Sequence, residues 1–220
     1  MKIFCFSNIA KVPNPFLVLN SLIESEKPDL LVCLGGIFPE DEEKPETNKK
    51  DVPTPFGSKI RTMKSRHKGS ADKTTSLEQL NLFQIPVLMV PSVKDLQKPK
   101  LVKRVLTSDN ILYRWIGEKA TTLEGLFFYG VSIEENFEKS LPYMAFSDEI
   151  NFWCVAGRIS DEFLNSKKDK LNCYLLYPKI YDTSGFDNAI NVFSIPLLDE
   201  NEIGIIEIQD KEVNFKLIPI

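Results

Sequence analysis

Leu30-Leu31-Val32-Cys33-Leu34 is apolar at every position and is closed by Gly35-Gly36. A strand with one solvated face alternates, so a run apolar throughout implies a strand covered on both faces, hence a central parallel sheet. What precedes it fits. Lys2–Phe6 is a short β-rich run ending at Ser7-Asn8, and Phe16–Ile23 has the apolar spacing of a helix, which Pro28-Asp29 stops. Strand, helix, strand in this order make a βαβ unit, whose crossover is right-handed. Pro86–Pro91 encloses a third buried strand, Val87-Leu88-Met89-Val90.

Downstream, Lys100–Leu106 suits a short helix. Strands are predicted over Ile111–Ile116, Leu126–Val131, Phe152–Ala156, Leu171–Leu176, Ile190–Ile195, Ile203–Ile208 and Val213–Ile218. Short polar turns join the last pairs, so the C-terminal half reads as antiparallel and hairpin-rich. Thr75 or Ser76 is expected to cap a short helix through Leu77, Leu80 and Phe83. Phe127, Phe128, Tyr129, Trp115 and Trp153 are assigned to the core.

Between about 39 and 76 the composition changes. Glu40, Asp41, Glu42, Glu43 and Glu46 are followed by Lys59, Arg61, Lys64, Arg66, Lys68 and Lys73, with prolines at 45, 53 and 55. Such a stretch buries little, and is expected to be an excursion from one domain spanning 1–220. The net charge of −4 gives no global case for nucleic acid or an anionic membrane, so any such case is local. The first apolar run is too short for a signal segment, and no stretch has the length of a membrane span. A cytoplasmic protein is expected. The four cysteines, Cys5, Cys33, Cys154 and Cys173, each sit in a strand-like run and read as buried reduced thiols.

Three strand ends carry the functional argument: Phe6-Ser7-Asn8-Ile9-Ala10, Leu34-Gly35-Gly36-Ile37-Phe38 and Val90-Pro91-Ser92-Val93-Lys94-Asp95. With the lead-in Lys27-Pro28-Asp29-Leu30-Leu31-Val32, and the tail Val192-Phe193-Ser194-Ile195-Pro196 before Ile203–Ile208, the chain resembles the calcineurin-like metallophosphoesterase superfamily. Members of that superfamily carry D-x-H after the first strand, G-D after the second and G-N-H-D/E after the third. The resemblance implies a metallophosphoesterase-like α/β fold: a two-sheet β-sandwich flanked by helices, with a parallel N-terminal part and an antiparallel C-terminal part.

The departures matter more. At the positions the resemblance assigns to ligands stand Asn8, Ala10, Gly36, Val93 and Lys94, and only Asp95 is retained. The later histidine motifs fall near Ala156-Gly157-Arg158 and Leu176-Tyr177-Pro178-Lys179-Ile180, which contain no histidine. A two-metal site needs roughly six to eight converging donors around ions about 3.5–4 Å apart. The chain's one histidine, His67, lies in a Lys/Arg cluster that repels a divalent cation. Neither a G-x-S-x-G elbow nor a phosphate-binding glycine motif is present.

The expectation is therefore a pseudo-phosphoesterase with no catalytic residue and no cofactor, acting as a protein- or anion-binding module. Lys94, Lys98 and Lys179 are its candidate anion contacts. The alternative is a weak phosphoesterase holding one metal through Asn8, Asp95 and backbone carbonyls. A protein partner is expected, with nucleic acid as a second option through the basic segments 58–73 and 94–104.

Overall fold

A computed structural model describes residues 1–39, 79–106, 113–117, 119–132, 150–157, 173–179 and 192–220. The 39–76 excursion beyond Pro39, its basic 58–73 segment and His67 all lie outside the described residues.

Two sheets face each other. The first contains β1 (Lys2–Ser7), β2 (Leu30–Leu34), β3 (Val87–Val90) and β4 (Tyr113–Trp115), all parallel. The second contains β5 (Ala120–Leu123), β6 (Leu126–Val131), β7 (Ile150–Val155), β8 (Tyr174–Pro178) and β9 (Val192–Ile195). The hairpin of β10 (Glu202–Gln209) and β11 (Glu212–Pro219) returns to the first sheet, β10 lying antiparallel against β1. The strand orders are β11-β10-β1-β2-β3-β4 and β5-β6-β7-β8-β9.

The two-sheet α/β architecture with parallel and antiparallel parts is as expected. One element of the C-terminal reading is corrected. The β5–β6 and β10–β11 pairs are antiparallel hairpins, but β6, β7, β8 and β9 run parallel to one another. Parallel neighbours need long connections, and the stretches between these strands are long enough to supply them. β5 escapes a reading of the sequence because Ala120-Thr121-Thr122-Leu123 holds little apolar signal.

Alternation divides the core. Ile3, Cys5, Val32, Leu88 and Ile206 point between the sheets, where they meet Phe128, Phe152, Cys154, Leu176 and Ile195. Phe4, Phe6, Leu31, Cys33, Met89 and Ile205 face the other way, toward α1 (Pro15–Glu26). That helix starts where Asn14 caps it, its side chain accepting from the Leu17 N–H at 3.2 Å, with Pro15 at the first helical position. It stops at Lys27, which takes a left-handed conformation with φ of 49°. Leu19 is fully buried and Ile23 nearly so, and a side chain buried to that degree contributes about 1.5–3 kcal/mol. Phe16 stacks on Phe83 at 5.0 Å, fixing the short 3-10 turn Leu80–Phe83 against the helix. That turn continues from Gln79, which is helical, and forms the end of the short helix expected there; Leu77 and the expected cap at 75–76 lie outside the described residues. No helix among the described residues is long and apolar enough to cross a membrane.

Phe127 and Phe128 are buried as expected, Trp153 is buried, and Trp115 is half-buried against Phe38 with ring centroids 6.2 Å apart. All four cysteines are buried free thiols.

Candidate functional site

The parallel order of β1, β2 and β3 brings their C-terminal ends to one edge, where open α/β sheets place ligands. Here the three ends are laced together. After β1, Asn8 adopts a left-handed conformation with φ of 63° and starts the 3-10 turn Ile9–Lys11. After β2, Gly35 and Gly36 take φ of +64° and +59° in succession. This double left-handed step turns the backbone carbonyls toward the first loop. The Asn8 N–H donates to the Gly35 carbonyl at 3.1 Å and the Ala10 N–H to the Gly36 carbonyl at 2.9 Å. The approach is close enough that a Cβ on Gly36 would sit 2.6 Å from both Cα and Oδ1 of Asn8. Glycine is required there on two counts, conformation and space.

The third loop is locked by Asp95. Ser92 caps the short helix α2 (Val93–Leu96), its hydroxyl accepting from the Asp95 N–H while the Asp95 carboxylate reaches back to the Ser92 N–H. In full, Oδ2 accepts from Ser92 N–H at 2.9 Å and Ser92 Oγ–H at 2.7 Å. Oδ1 accepts from the N–H groups of Ile37 and Phe38, each at 3.0 Å. Asp95 is 2% exposed, so this carboxylate is a buried peg joining the loops after β2 and β3. Ser92-x-x-Asp95 is a capping-box pattern, so this role is legible in the sequence, where the ligand register of the same residues overshadows it.

Lys11 adds to the cleft wall, and Asp199 stands beside it. Asn8 Nδ2 donates to Asp199 Oδ1 at 3.1 Å, and the Lys11 ammonium lies 3.9 Å from Asp199 Oδ2. No local signal links positions 8 and 199; their meeting follows from the return of the chain beside β1, where Ser7 N–H donates to the Pro196 carbonyl at 3.1 Å.

The loops enclose a cleft of about 710 Å³. Asn8, Ala10, Gly36, Val93, Lys94, Asp95 and Lys98 all line it, so the three motif positions do converge. Ala156, Gly157 and Pro178, from the later motif regions at the ends of β7 and β8, line it too. Lys179 is the exception. Its ammonium lies 3.9 Å from Glu202 Oε2, and it does not line this cleft. Alternation explains this: Pro178 faces the cleft, so its neighbour faces away.

Electrostatically the lining is basic, with Lys11, Lys94 and Lys98 against a single carboxylate already committed to four donors. Lys94 is exposed at the cleft, whereas Lys98 is half-buried and its ammonium donates to the Pro39 carbonyl. Lys100 and Lys103, farther along the 94–104 segment, lie on α3 (Pro99–Leu106) and are exposed. Behind the second loop sits Cys33, its thiol pushed up by burial and then by the negative charge of Asp95. It stays protonated and is no nucleophile. Among the described residues, no group of three or more His, Cys, Asp or Glu side chains is placed to hold a metal ion.

The sequence matches no protein-family model and no curated protein. The solved structure of TT1561 from Thermus thermophilus is similar over 98% of this chain and 97% of that chain, with a TM-score of 0.57 and 14% identity. At that identity the likeness is one of fold alone. A second solved structure, 11% identical with a TM-score of 0.48 over 99% of this chain and 98% of that one, carries no argument.

Proposed function

We propose that the chain is a non-catalytic module of the metallophosphoesterase-like type, and that its cleft binds an anionic group presented by a partner protein. The supporting observation is the fate of Asp95, the one acidic position the superfamily pattern retains. Its two oxygens already accept four hydrogen bonds from the loops they join. A carboxylate so committed would have to surrender buried N–H donors to ligate a cation, at about 1–3 kcal/mol for each group left unpaired.

The rest of the donor set argues likewise against a metal. Gly36 has no space for a side chain, and lysines occupy the lining. Ammonium groups disfavour divalent cations and favour phosphate, sulfate or carboxylate, which they hold as point charges. A 710 Å³ cleft is in the range that takes a small ligand or one side chain of a partner. The three loop ends that metals would cross-link in a phosphoesterase are joined here by hydrogen bonds instead.

The test is elemental analysis of the mildly purified protein with a generic phosphodiester assay, followed by calorimetry with inorganic phosphate. Absence of stoichiometric Mn, Fe or Zn, no turnover, and phosphate binding weakened by Lys94→Ala are the expected results. Two metals per chain, with hydrolysis lost on chelation, would overturn the proposal in favour of a metal-dependent phosphoesterase. A pull-down from the native organism then identifies the partner.

A further inference from the structure

Among the described residues each sheet ends in edge strands, and three of these four are short: β4 has three residues, β5 four and β9 four. Short edges resist pairing with another chain. β11 differs, with eight residues at the end of the six-stranded sheet.

The direction of its free hydrogen-bonding groups follows from the register. Ile220 N–H donates to the Asn201 carbonyl directly opposite at 2.9 Å, so even-numbered residues of β11 bond inward to β10. On the other side of β10, Ile208, paired with Val213, donates to Met1 at 2.8 Å, which agrees with that phase. The N–H and C=O groups of Val213, Phe215 and Leu217 therefore point out from the edge. Among the described residues nothing bonds to them. Pro219, the next outward position, has no N–H to present.

We propose that this edge pairs antiparallel with the β11 of a second copy, with Asn214 of each copy on the two-fold axis. Self-complementary charge selects that register. It sets Glu212 opposite the partner's Lys216, and Lys216 opposite the partner's Glu212, on one face. On the other face Val213 meets the partner's Phe215. The 212–216 pairs are non-hydrogen-bonded at the new interface, where opposed side chains come closest. Val213 and Phe215 would exchange N–H···O=C bonds in both directions. A register with Glu212 opposite Glu212, or Lys216 opposite Lys216, places like charges together. A lysine on an edge ordinarily repels another strand, but Lys216 already sits 2.9 Å from Glu207 on β10, and the partner's Glu212 would flank it from the far side.

Sedimentation of the full chain up to about 1 mM should show reversible dimer formation. Glu212→Lys and Lys216→Glu should each weaken it roughly tenfold, because two attractive pairs become repulsive. An equimolar mixture of the two variants should recover it, since each then faces its complement. Asn214→Cys should give a disulfide-linked dimer on mild oxidation, because non-hydrogen-bonded pairs on neighbouring strands lie within disulfide reach and the native thiols are buried. A strictly monomeric wild type overturns the proposal. So does a dimer indifferent to both charge reversals, or one that Asn214→Cys does not cross-link.

Discussion

Replacing Asp95 with alanine removes one small side chain from the loops but strands four donors, and the cost can be worked from their surroundings. Ile37 and Phe38 are 2% and 6% exposed, so their N–H groups are largely shielded from water. Each buried donor left unpaired costs about 1–3 kcal/mol. Ser92 N–H and Oγ–H lose their partner as well, and with it α2 loses half of its capping box, worth about 1 kcal/mol. The terms are not additive because the cleft lies next to them and water can enter part of the gap. A net loss of about 3–5 kcal/mol is expected, a large share of the roughly 5–15 kcal/mol that holds a domain folded. Asp95→Asn keeps the size and one acceptor oxygen but turns an NH2 group toward donors, so about half that loss is expected. Urea unfolding followed by circular dichroism measures both. The reasoning is refuted if Asp95→Ala lies within about 1 kcal/mol of wild type. A ligand role would show the opposite pattern, since residues kept for binding usually cost little stability when removed.

Gly36→Asp, which places a carboxylate where the superfamily pattern has one, should destabilise the fold by about 2–4 kcal/mol in the same assay, because φ is +59° and Asn8 Cα stands 2.6 Å from the new Cβ. Combining it with Asn8→Asp, Ala10→His and Lys94→His should produce no phosphodiesterase activity, since Ala156, Gly157 and Pro178 still line the far wall without a ligand. The four thiols should be inert to a thiol reagent at about pH 8 until the protein unfolds: burial holds Cys5, Cys33 and Cys154 well above the usual thiol range and pushes Cys173 up to about 12. Fast stoichiometric labelling of the native chain would contradict the packing of β1, β2 and β7.

How far the sequence can be read depends on which forces set each element. Continuous apolar runs such as Leu30–Leu34 and Val87–Val90 are dictated by burial on both faces, so β2 and β3 are legible from single stretches. The β10–β11 hairpin is legible because Gln209-Asp210-Lys211-Glu212 has the turn chemistry at a position between two strand-like runs. Strand direction in the second sheet is not. Nothing in Leu126–Val131 or Tyr174–Pro178 states whether a neighbour is parallel; that is settled by the long connections and by the core they must cover. The cleft shows the same division. Motif spacing brings Asn8, Gly36 and Lys94 to one place, since the order of strand ends fixes them. Asp199 could not be foreseen, because it reaches Asn8 only through the register of the returning chain.

What the lacing of the loops implies goes beyond the absence of any single ligand. In a metal-dependent site, repulsion among converging carboxylates is relieved only when the cation arrives, so the loops depend on it for order. Here each strand end is tied to the next by groups of the chain itself: Asn8 and Ala10 to Gly35 and Gly36, Ile37 and Phe38 to Asp95, and Asn8 to Asp199. One carboxylate, that of Asp95, joins two loops by accepting from both at once. A cleft closed in this way is preformed, and preformed sites lose little to ordering when they bind. On the reading proposed above, its basic lining would meet an anionic group without any prior ion-dependent step, as a binding module requires.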